Sequence, residues 1–277
     1  MIELKSISYS YKMPTGNVAA LSDISLNIQK GIMTAMIGKT GSGKTTLAEL
    51  IAGIITPDTG TISGISEKNI GIVFQYPEYQ LFEDTVFEDI AFAPKNLGLS
   101  GDDLKSRVKN AASIVGLGYE LLQLAPFELS GGEKRLAAIA GVLAAEPEIL
   151  ILDEPAAGLD PTGKKRIFDI LHQLLEDDPG MTVIFITHSM NDAAEHADEL
   201  ILLNDGTLAA SGVPGDIFSD KALLSDCGIA PPDTVIIADM LRKSGIDTGK
   251  VYTEDELFTA LCRVFEGRID HMCRNRC

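Results

Sequence analysis

Three features predict an α/β chain in which buried parallel strands carry a glycine-rich loop, with an antiparallel pair at the N-terminal flank. The first is GKTGSGKT, residues 38–45, set between an apolar strand-like run at 32–37 and a helix-like segment at 44–52. The second is a set of short apolar, β-compatible runs at 70–74, 149–152 and 182–186, each followed by polar residues. The third is the helical patterning between these runs, which parallel strands need for their crossovers.

Composition sets limits on the rest. The chain has 277 residues, room for one large domain or two, and a net charge of -17, which argues against a broad electrostatic grip on nucleic acid. No run reaches the ~18 consecutive apolar residues of a membrane span, and the start, Met1-Ile2-Glu3, lacks a charged and then apolar signal pattern. A cytoplasmic, reduced protein is the expectation. The four cysteines, Cys227, Cys262, Cys273 and Cys277, have no CxxC spacing, so free thiols are the simplest reading, with a metal held by His271, Cys273 and Cys277 as the alternative.

Residues 2–11 alternate apolar and polar, residues 21–28 repeat the pattern, and the turn-prone 13–17 joins them into the antiparallel flank. The loop that follows fits G-x-x-x-x-G-K-[ST] at every position, in its strand, loop and helix context. Gly38, Gly41 and Gly43 permit positive φ and close backbone approach to an anion, while the helix N-terminus brings partial positive charge to the same point. Lys44 is then expected to reach the β and γ phosphates of a nucleotide, and Thr45 to bind Mg²⁺. Pro57-Asp58-Thr59-Gly60 signals a turn before a short strand at 61–64.

Residues 76–89, YPEYQLFEDTVFED, carry Glu78, Glu83, Asp84, Glu88 and Asp89 with no basic residue, interleaved with apolar side chains. Such a stretch is either a solvated helix start or a receiver of arginines from a partner. Helical patterning follows at 104–117 and 121–124. LSGGEKR opens the helical run 136–145, with Ser130 and Glu133 at capping-box spacing; a capped helix explains it, and a second anion site at Gly131-Gly132 is the alternative.

The run 149–152 ends in Asp153-Glu154, two acids where a central parallel strand delivers groups to its C-terminal edge. Asp153 is expected to hold the Mg²⁺ shell and Glu154 to orient or deprotonate the attacking water. Residues 157–161, AGLDP, turn into a helix at 164–175, and the run 182–186 ends at Thr187-His188. Because His188 falls at the same kind of edge as Gln75 and Asp153, it is a γ-phosphate sensor candidate, whereas His172 and His196 read as structural or surface residues. Asn204-Asp205-Gly206 marks a hairpin. Beyond residue 218 the pattern is of short helices, with Asp233 a cap after two prolines and residues 253–256 a capping box before Leu257, Leu261, Val264 and Phe265.

In this order the phosphate loop, LSGGE, ILILDEP, AGLDP and TH resemble the ABC-type ATPases over roughly residues 1–220, and most specifically the ATP-binding subunits of energy-coupling factor transporters. That resemblance implies a RecA-like P-loop core with the β flank at 1–84 and 147–225, a helical signature subdomain at 85–146, and a C-terminal extension at 226–277 suited to dimerisation. It implies ATP and Mg²⁺ as ligands. ATP would be held by Tyr11 through adenine stacking and by Gly38, Lys39, Thr40, Gly41, Ser42, Gly43, Lys44, Thr45 and Thr46. Mg²⁺ falls to Thr45, Gln75 and Asp153, and catalysis to Glu154, His188 and Gln75. Ser130, Gly131, Gly132 and Glu133, with Asp160, would face the ATP of a partner subunit. Glu133 stands where glutamine is more usual, and Lys39 and Thr45 where these subunits often carry histidine and serine.

The implied partners are a second such ATPase, in a heterodimer or a homodimer, a transmembrane coupling protein received by Glu78, Glu83, Asp84 and Glu88, and a small substrate-binding membrane protein. No nucleic acid is implied. The implied location is the cytoplasmic face of the cell membrane, and the implied work is import of vitamins or transition metal ions. A conventional ABC transporter ATPase would share the chemistry. Non-transport relatives on ribosomes or DNA carry tandem cassettes or a coiled-coil insertion, which this chain does not show, and a non-hydrolysing subunit would not need Glu154 and His188.

Overall fold

The computed structural model describes residues 1–14, 16–65 and 70–274, without the side chains of Glu78 and of residues 266–274. In chain order the elements are β1 (Ile2–Met13), β2 (Gly16–Ile28), β3 (Met33–Ile37), α1 (Lys44–Ile51), β4 (Thr59–Ser63), β5 (Ile70–Val73), α2 (Val86–Asn96), α3 (Gly101–Ile114) and α4 (Gly131–Leu143). There follow β6 (Ile149–Asp153), α5 (Pro161–Asp177), β7 (Thr182–Ile186), α6 (Met190–His196), β8 (Glu199–Asn204) and β9 (Thr207–Gly212). The C-terminal part holds α7 (Pro214–Ser219), α8 (Lys221–Asp226), α9 (Asp233–Lys243) and α10 (Glu254–Arg274).

The chain divides into two compact units: residues 1–33 with 45–186, and residues 34–44 with 187–277. In the first unit β1 pairs antiparallel with both β2 and β4. The alternation of β1 is not continuous, because Leu4 and Ile7 are three apart yet both buried. A register shift between them and a left-handed Ser6, φ 49°, restore the phase, and Asp23 at φ 49° does the same in β2 between buried Leu21 and Ile24. The strands β5, β6 and β7 run parallel, and every residue of β6 and β7 is buried, as the unbroken apolar runs require. Phe168 of α5 meets Phe185 of β7 edge-on, centroids 5.4 Å apart.

The segment expected as the helical signature subdomain lies within this first unit, where α4 packs on β5 and on the short 3₁₀ turn Pro77–Gln80. Thr85 caps α2 by accepting the Glu88 N-H at 3.2 Å. Residues 121–123 are part of a second 3₁₀ turn, Tyr119–Gln123, and not an α-helix, and Leu124 is the extended residue after it; Gly116 at φ 66° ends α3 before it.

In the second unit β3 runs parallel to β8, and β8 turns back into β9 through Asp205 and Gly206, at φ 47° and 77°. That is the hairpin geometry an Asn-Asp-Gly sequence favours. At the C-terminal end the capping box is present: Glu256 N donates to Thr253 Oγ1 at 3.2 Å and Thr253 N to Glu256 Oε2 at 3.3 Å. Asp233 is the first helical residue of α9 and not its cap, a place taken by Pro232. Leu257 and Leu261 of α10 pack with Ala238, Leu241 and Val251, while Phe265 is exposed. Among the described residues no helix is long and apolar enough to cross a membrane, and no group of His, Cys, Asp and Glu is arranged to hold a metal. The side chains of His271, Cys273 and Cys277 lie outside the described residues.

Candidate active site

The phosphate loop of the second unit has the geometry its glycines predict. Gly38, Gly41 and Gly43 take φ of 150°, 82° and 99°. A Cβ on Gly38 would collide with Leu203 O and would lie 2.6 Å from Ser42 Oγ, so only glycine fits there. Lys44 is buried, and its ammonium donates to Gly38 O at 2.8 Å and Lys39 O at 2.9 Å. A cation is thereby fixed at the centre of a backbone ring. Ser42 is held from behind by Gly206 N, which donates to Ser42 O at 3.2 Å, and its buried hydroxyl has no hydrogen-bond partner among the described residues. Lys39, Thr40 and Gly41 are exposed. The same unit carries exposed His188, next to Thr187, whose N-H donates to Met36 O at 3.2 Å.

In the first unit Thr45, at the start of α1, donates its hydroxyl to Asp153 Oδ2 at 2.9 Å. Asp153 is the buried last residue of β6. Glu154 follows in the left-handed region, φ 53°, with its N-H on Ile186 O at 3.0 Å and its carbonyl accepting from Ala157 N at 3.1 Å. A left-handed glutamate costs on the order of 1 kcal/mol. The turn carries Glu154 off the end of β6 while Asp153 stays against Thr45. A hydroxyl already paired with a carboxylate, beside a second carboxylate, is a donor set suited to a hard divalent ion such as Mg²⁺ and to polarising a water. Gln75 is exposed two residues past the end of β5.

Tyr11 reaches α1: its hydroxyl is 3.0 Å from Thr46 Oγ1 and donates to Glu49 Oε2 at 3.4 Å, and its ring meets Tyr9 edge-on. Part of that ring remains exposed. At α4 both halves of the capping box are made, Ser130 N to Glu133 Oε2 at 2.8 Å and Glu133 N to Ser130 Oγ at 3.4 Å. Hydrogen bonds from Ser130, side chain and then backbone, hold the Glu133 carboxyl below its ordinary value. Gly131 and Gly132 are exposed, and a Cβ on either would meet nothing. Their backbone is open to a facing molecule. Asp160 caps α5 by accepting the Gly163 N-H at 2.7 Å.

Two residues stood outside the sequence reading. Arg135, buried one turn into α4, donates to Pro155 O at 3.1 Å and Ala157 O at 2.6 Å, locking the LSGGE helix to the loop after Glu154. Its only sequence signal was a cation next to that motif. Asp89, read as one acid among five, is buried, and its Oδ1 accepts from Phe82 N at 2.9 Å and Glu83 N at 3.1 Å. It lines a cavity of about 480 Å³ with Tyr79, Phe82, Phe92 and Gly141. Glu83, Asp84 and Glu88 do not line it; Glu88 is paired with Lys95, and the side chain of Glu78 is not described. The cavity is therefore largely apolar with one buried carboxylate, where an acidic groove was expected.

Comparison with known proteins places these features in a family. Residues 21–157 match the ABC transporter family model. The chain is 43% identical over 253 residues to the energy-coupling factor transporter ATP-binding protein EcfA2 of Ligilactobacillus salivarius, covering 86% of this chain and 87% of that one. Among solved structures it is similar to cbiO1 of Clostridium perfringens, part of the ABC transporter complex cbiONQ, with a TM-score of 0.71, 34% identity, and 81% and 93% of the two chains covered. It is also similar to the dimeric post-hydrolysis state of the ATP-binding cassette MJ0796 bound to ADP and Pi, with a TM-score of 0.69, 28% identity, and 77% and 99% covered.

Proposed function

This chain belongs to the ATP-binding proteins of energy-coupling factor transporters, within the ABC transporter family, and we propose that it works as one of two facing ATPase subunits that power uptake of a vitamin or a transition metal ion. The observation that carries the chemical part is the end of β6, where Asp153 is hydrogen-bonded to Thr45 and Glu154 follows in a left-handed turn.

The roles follow from the groups present. Residues 38–44 cradle the phosphates of ATP with backbone N-H groups, Lys44 neutralises them, and the Tyr11 ring supplies a face for adenine. Thr45 and Asp153, joined by Gln75, are the ligand set for Mg²⁺, which when bound neutralises phosphate charge. Glu154 holds or deprotonates the attacking water, and His188 donates to the terminal phosphate. Phosphoryl transfer asks mainly for positioning and charge stabilisation, and this set supplies both. Ser130, Gly131, Gly132, Glu133 and Asp160 act on the nucleotide of the facing subunit. The capping box leaves the first N-H groups of α4 directed outward for that purpose.

In this reading residues 1–84 and 147–225 form the nucleotide-binding core, 85–146 the signature subdomain and 226–277 the extension. Two observations support a membrane partner at residues 76–92: exposed Tyr79, Phe82 and Phe92 line a largely apolar cavity, and buried Asp89, which also lines it, has an Oδ2 with no hydrogen-bond partner among the described residues. A helix of a transmembrane coupling protein bearing an arginine fits such a cavity, with Glu83, Asp84 and Glu88 attracting it. The chain then sits on the cytoplasmic face of the membrane, and a separate small membrane protein binds the solute.

The test is affinity purification of the full chain from its native membranes in mild detergent. A transmembrane coupling protein and small integral membrane proteins are expected to come with it. A second ATPase in the same preparation makes the pair a heterodimer, and its absence makes it a homodimer. Recovery of a conventional permease pair, ribosomes or DNA-binding proteins overturns the proposal.

A further inference from the structure

α6 begins two residues after His188, and its side chains close the N-termini of both long C-terminal helices. Asn191 and Asp233 pair twice: Asn191 Nδ2 donates to Asp233 Oδ2 at 2.7 Å, and Asp233 N donates to Asn191 Oδ1 at 2.9 Å. Glu195 accepts the backbone N-H of Glu254. Asp233 and Glu254 are the first residues of α9 and α10, whose leading N-H groups have no partner within their own helices. Asn191 and Glu195 stand four apart, so they share one face of α6. One face of one short helix therefore satisfies the first N-H of each C-terminal helix.

The consequence runs towards His188. A seven-residue helix such as α6 is far too short to hold itself, and its own cap is a single bond from Asp192 N to Ser189 Oγ at 3.2 Å. Its orientation is imposed from outside. α9 and α10 can impose it because Ala238 and Leu241 of α9 share one apolar cluster with Leu257, Ala260 and Leu261 of α10 and with Val251 of the connection between them. A second contact joins the same region to the phosphate loop: the Lys39 ammonium fills the space a side chain on Gly228 would need, just beyond α8.

We infer that Asn191 and Glu195 are positioning residues for ATP hydrolysis, acting as a clamp through which the C-terminal helices hold the segment that carries His188. The inference rests on the role of His188 given above. It makes the extension part of the hydrolytic device in addition to any contact it makes with a partner.

The experiment uses the full chain with the proteins that co-purify with it. N191D sets two carboxylates against each other, and N191D/D233N restores a complementary amide and acid. E195Q keeps the acceptor oxygen, and E195A removes it. N191D and E195A are expected to lower kcat about tenfold with KM for ATP and Tm unchanged, since small misplacements cost rate before binding. E195Q and the double swap are expected to regain wild-type kcat. His188→Ala, measured in parallel, is expected to abolish turnover; wild-type turnover there overturns the role of His188 itself. Inactive His188→Ala beside wild-type kcat in N191D and E195A overturns the clamp alone. A fall in Tm for N191D that the double swap does not repair also overturns it.

Discussion

The hydroxyl of Thr45 donates to Asp153 across 108 residues of sequence, at 2.9 Å, and so fixes the first turn of α1 against the end of β6. Threonine and serine both carry this donor, so Thr45→Ser is expected to keep wild-type turnover. Thr45→Val keeps the shape and removes the oxygen, while Asp153→Asn removes the charge. Both are expected to lose about a hundredfold or more in ATP hydrolysis, as when a charge-stabilising group is removed. Steady-state rates across a Mg²⁺ titration check this, and a Thr45→Val enzyme with unaltered metal dependence would remove Thr45 from the ligand set.

Glu154 sits in a left-handed turn that a glutamine can also occupy, because the backbone and not the charge sets φ 53°. Glu154→Gln is therefore expected to fold and bind ATP normally. Its turnover should fall by roughly 10²–10⁴, the range for loss of a general base. The protein should then accumulate as an ATP-bound dimer, visible by size-exclusion chromatography with retained nucleotide. Turnover at the wild-type rate would defeat the assignment.

What the sequence made legible was local. The phosphate loop is a contiguous run whose glycines, cation and hydroxyl do their work at fixed spacing. The strands β6 and β7 announce themselves as unbroken apolar runs because both faces are covered. The bonds from Arg135 to Pro155 and Ala157, and the pairing of Asn191 with Asp233, were not legible. Each joins residues about 20 to 40 apart without periodicity, and only the fold brings them together. Asp89 was hidden differently: it is one of five acids in a run, and nothing in the run distinguishes the buried one.

The cavity beside α2 separates attraction from anchoring. Glu83→Ala, Asp84→Ala and Glu88→Ala together are expected to weaken co-purification with the membrane partner and to leave ATP binding intact, since none lines the cavity. The difference from wild type should be largest at low salt and shrink at high salt, where the wild-type charges are themselves screened. Asp89→Ala should differ in removing the acceptor for Phe82 N and Glu83 N, which destabilises the 3₁₀ turn and α2 junction by about 1–3 kcal/mol. Undiminished co-purification of the triple variant would argue against electrostatic docking there.

Arg135 is buried with a guanidinium committed to two carbonyls of the loop after Glu154. Arg135→Met keeps much of the stem packing and strands those carbonyls, for an expected loss of about 2–4 kcal/mol in unfolding free energy. Because the loop holds Glu154, turnover is expected to fall as well, with the affinity for ATP little changed. Denaturant unfolding and kcat measured on the same sample check both, and a stable, fully active variant would show the bonds to be incidental.

The clamp residue Glu195 offers a test by pH. Burial pushes its carboxyl above the ordinary glutamate value of about 4.5; the bond from Glu254 N opposes this, and the charges of Glu254, Asp255 and Glu256 reinforce it. With the folded value raised, the folded chain binds more protons than the unfolded one between the two values, so stability from this group falls as pH rises through that interval. Its contribution is complete below the ordinary glutamate value and gone above the raised one. Glu195→Gln has no such dependence and keeps the acceptor oxygen. The variant is therefore expected to melt at the same temperature as the wild type under acidic conditions and above it near pH 7. A variant that instead melts below the wild type near pH 7 would mean that the carboxylate is held as an anion by the N-terminus of α10, reversing the sign of the effect.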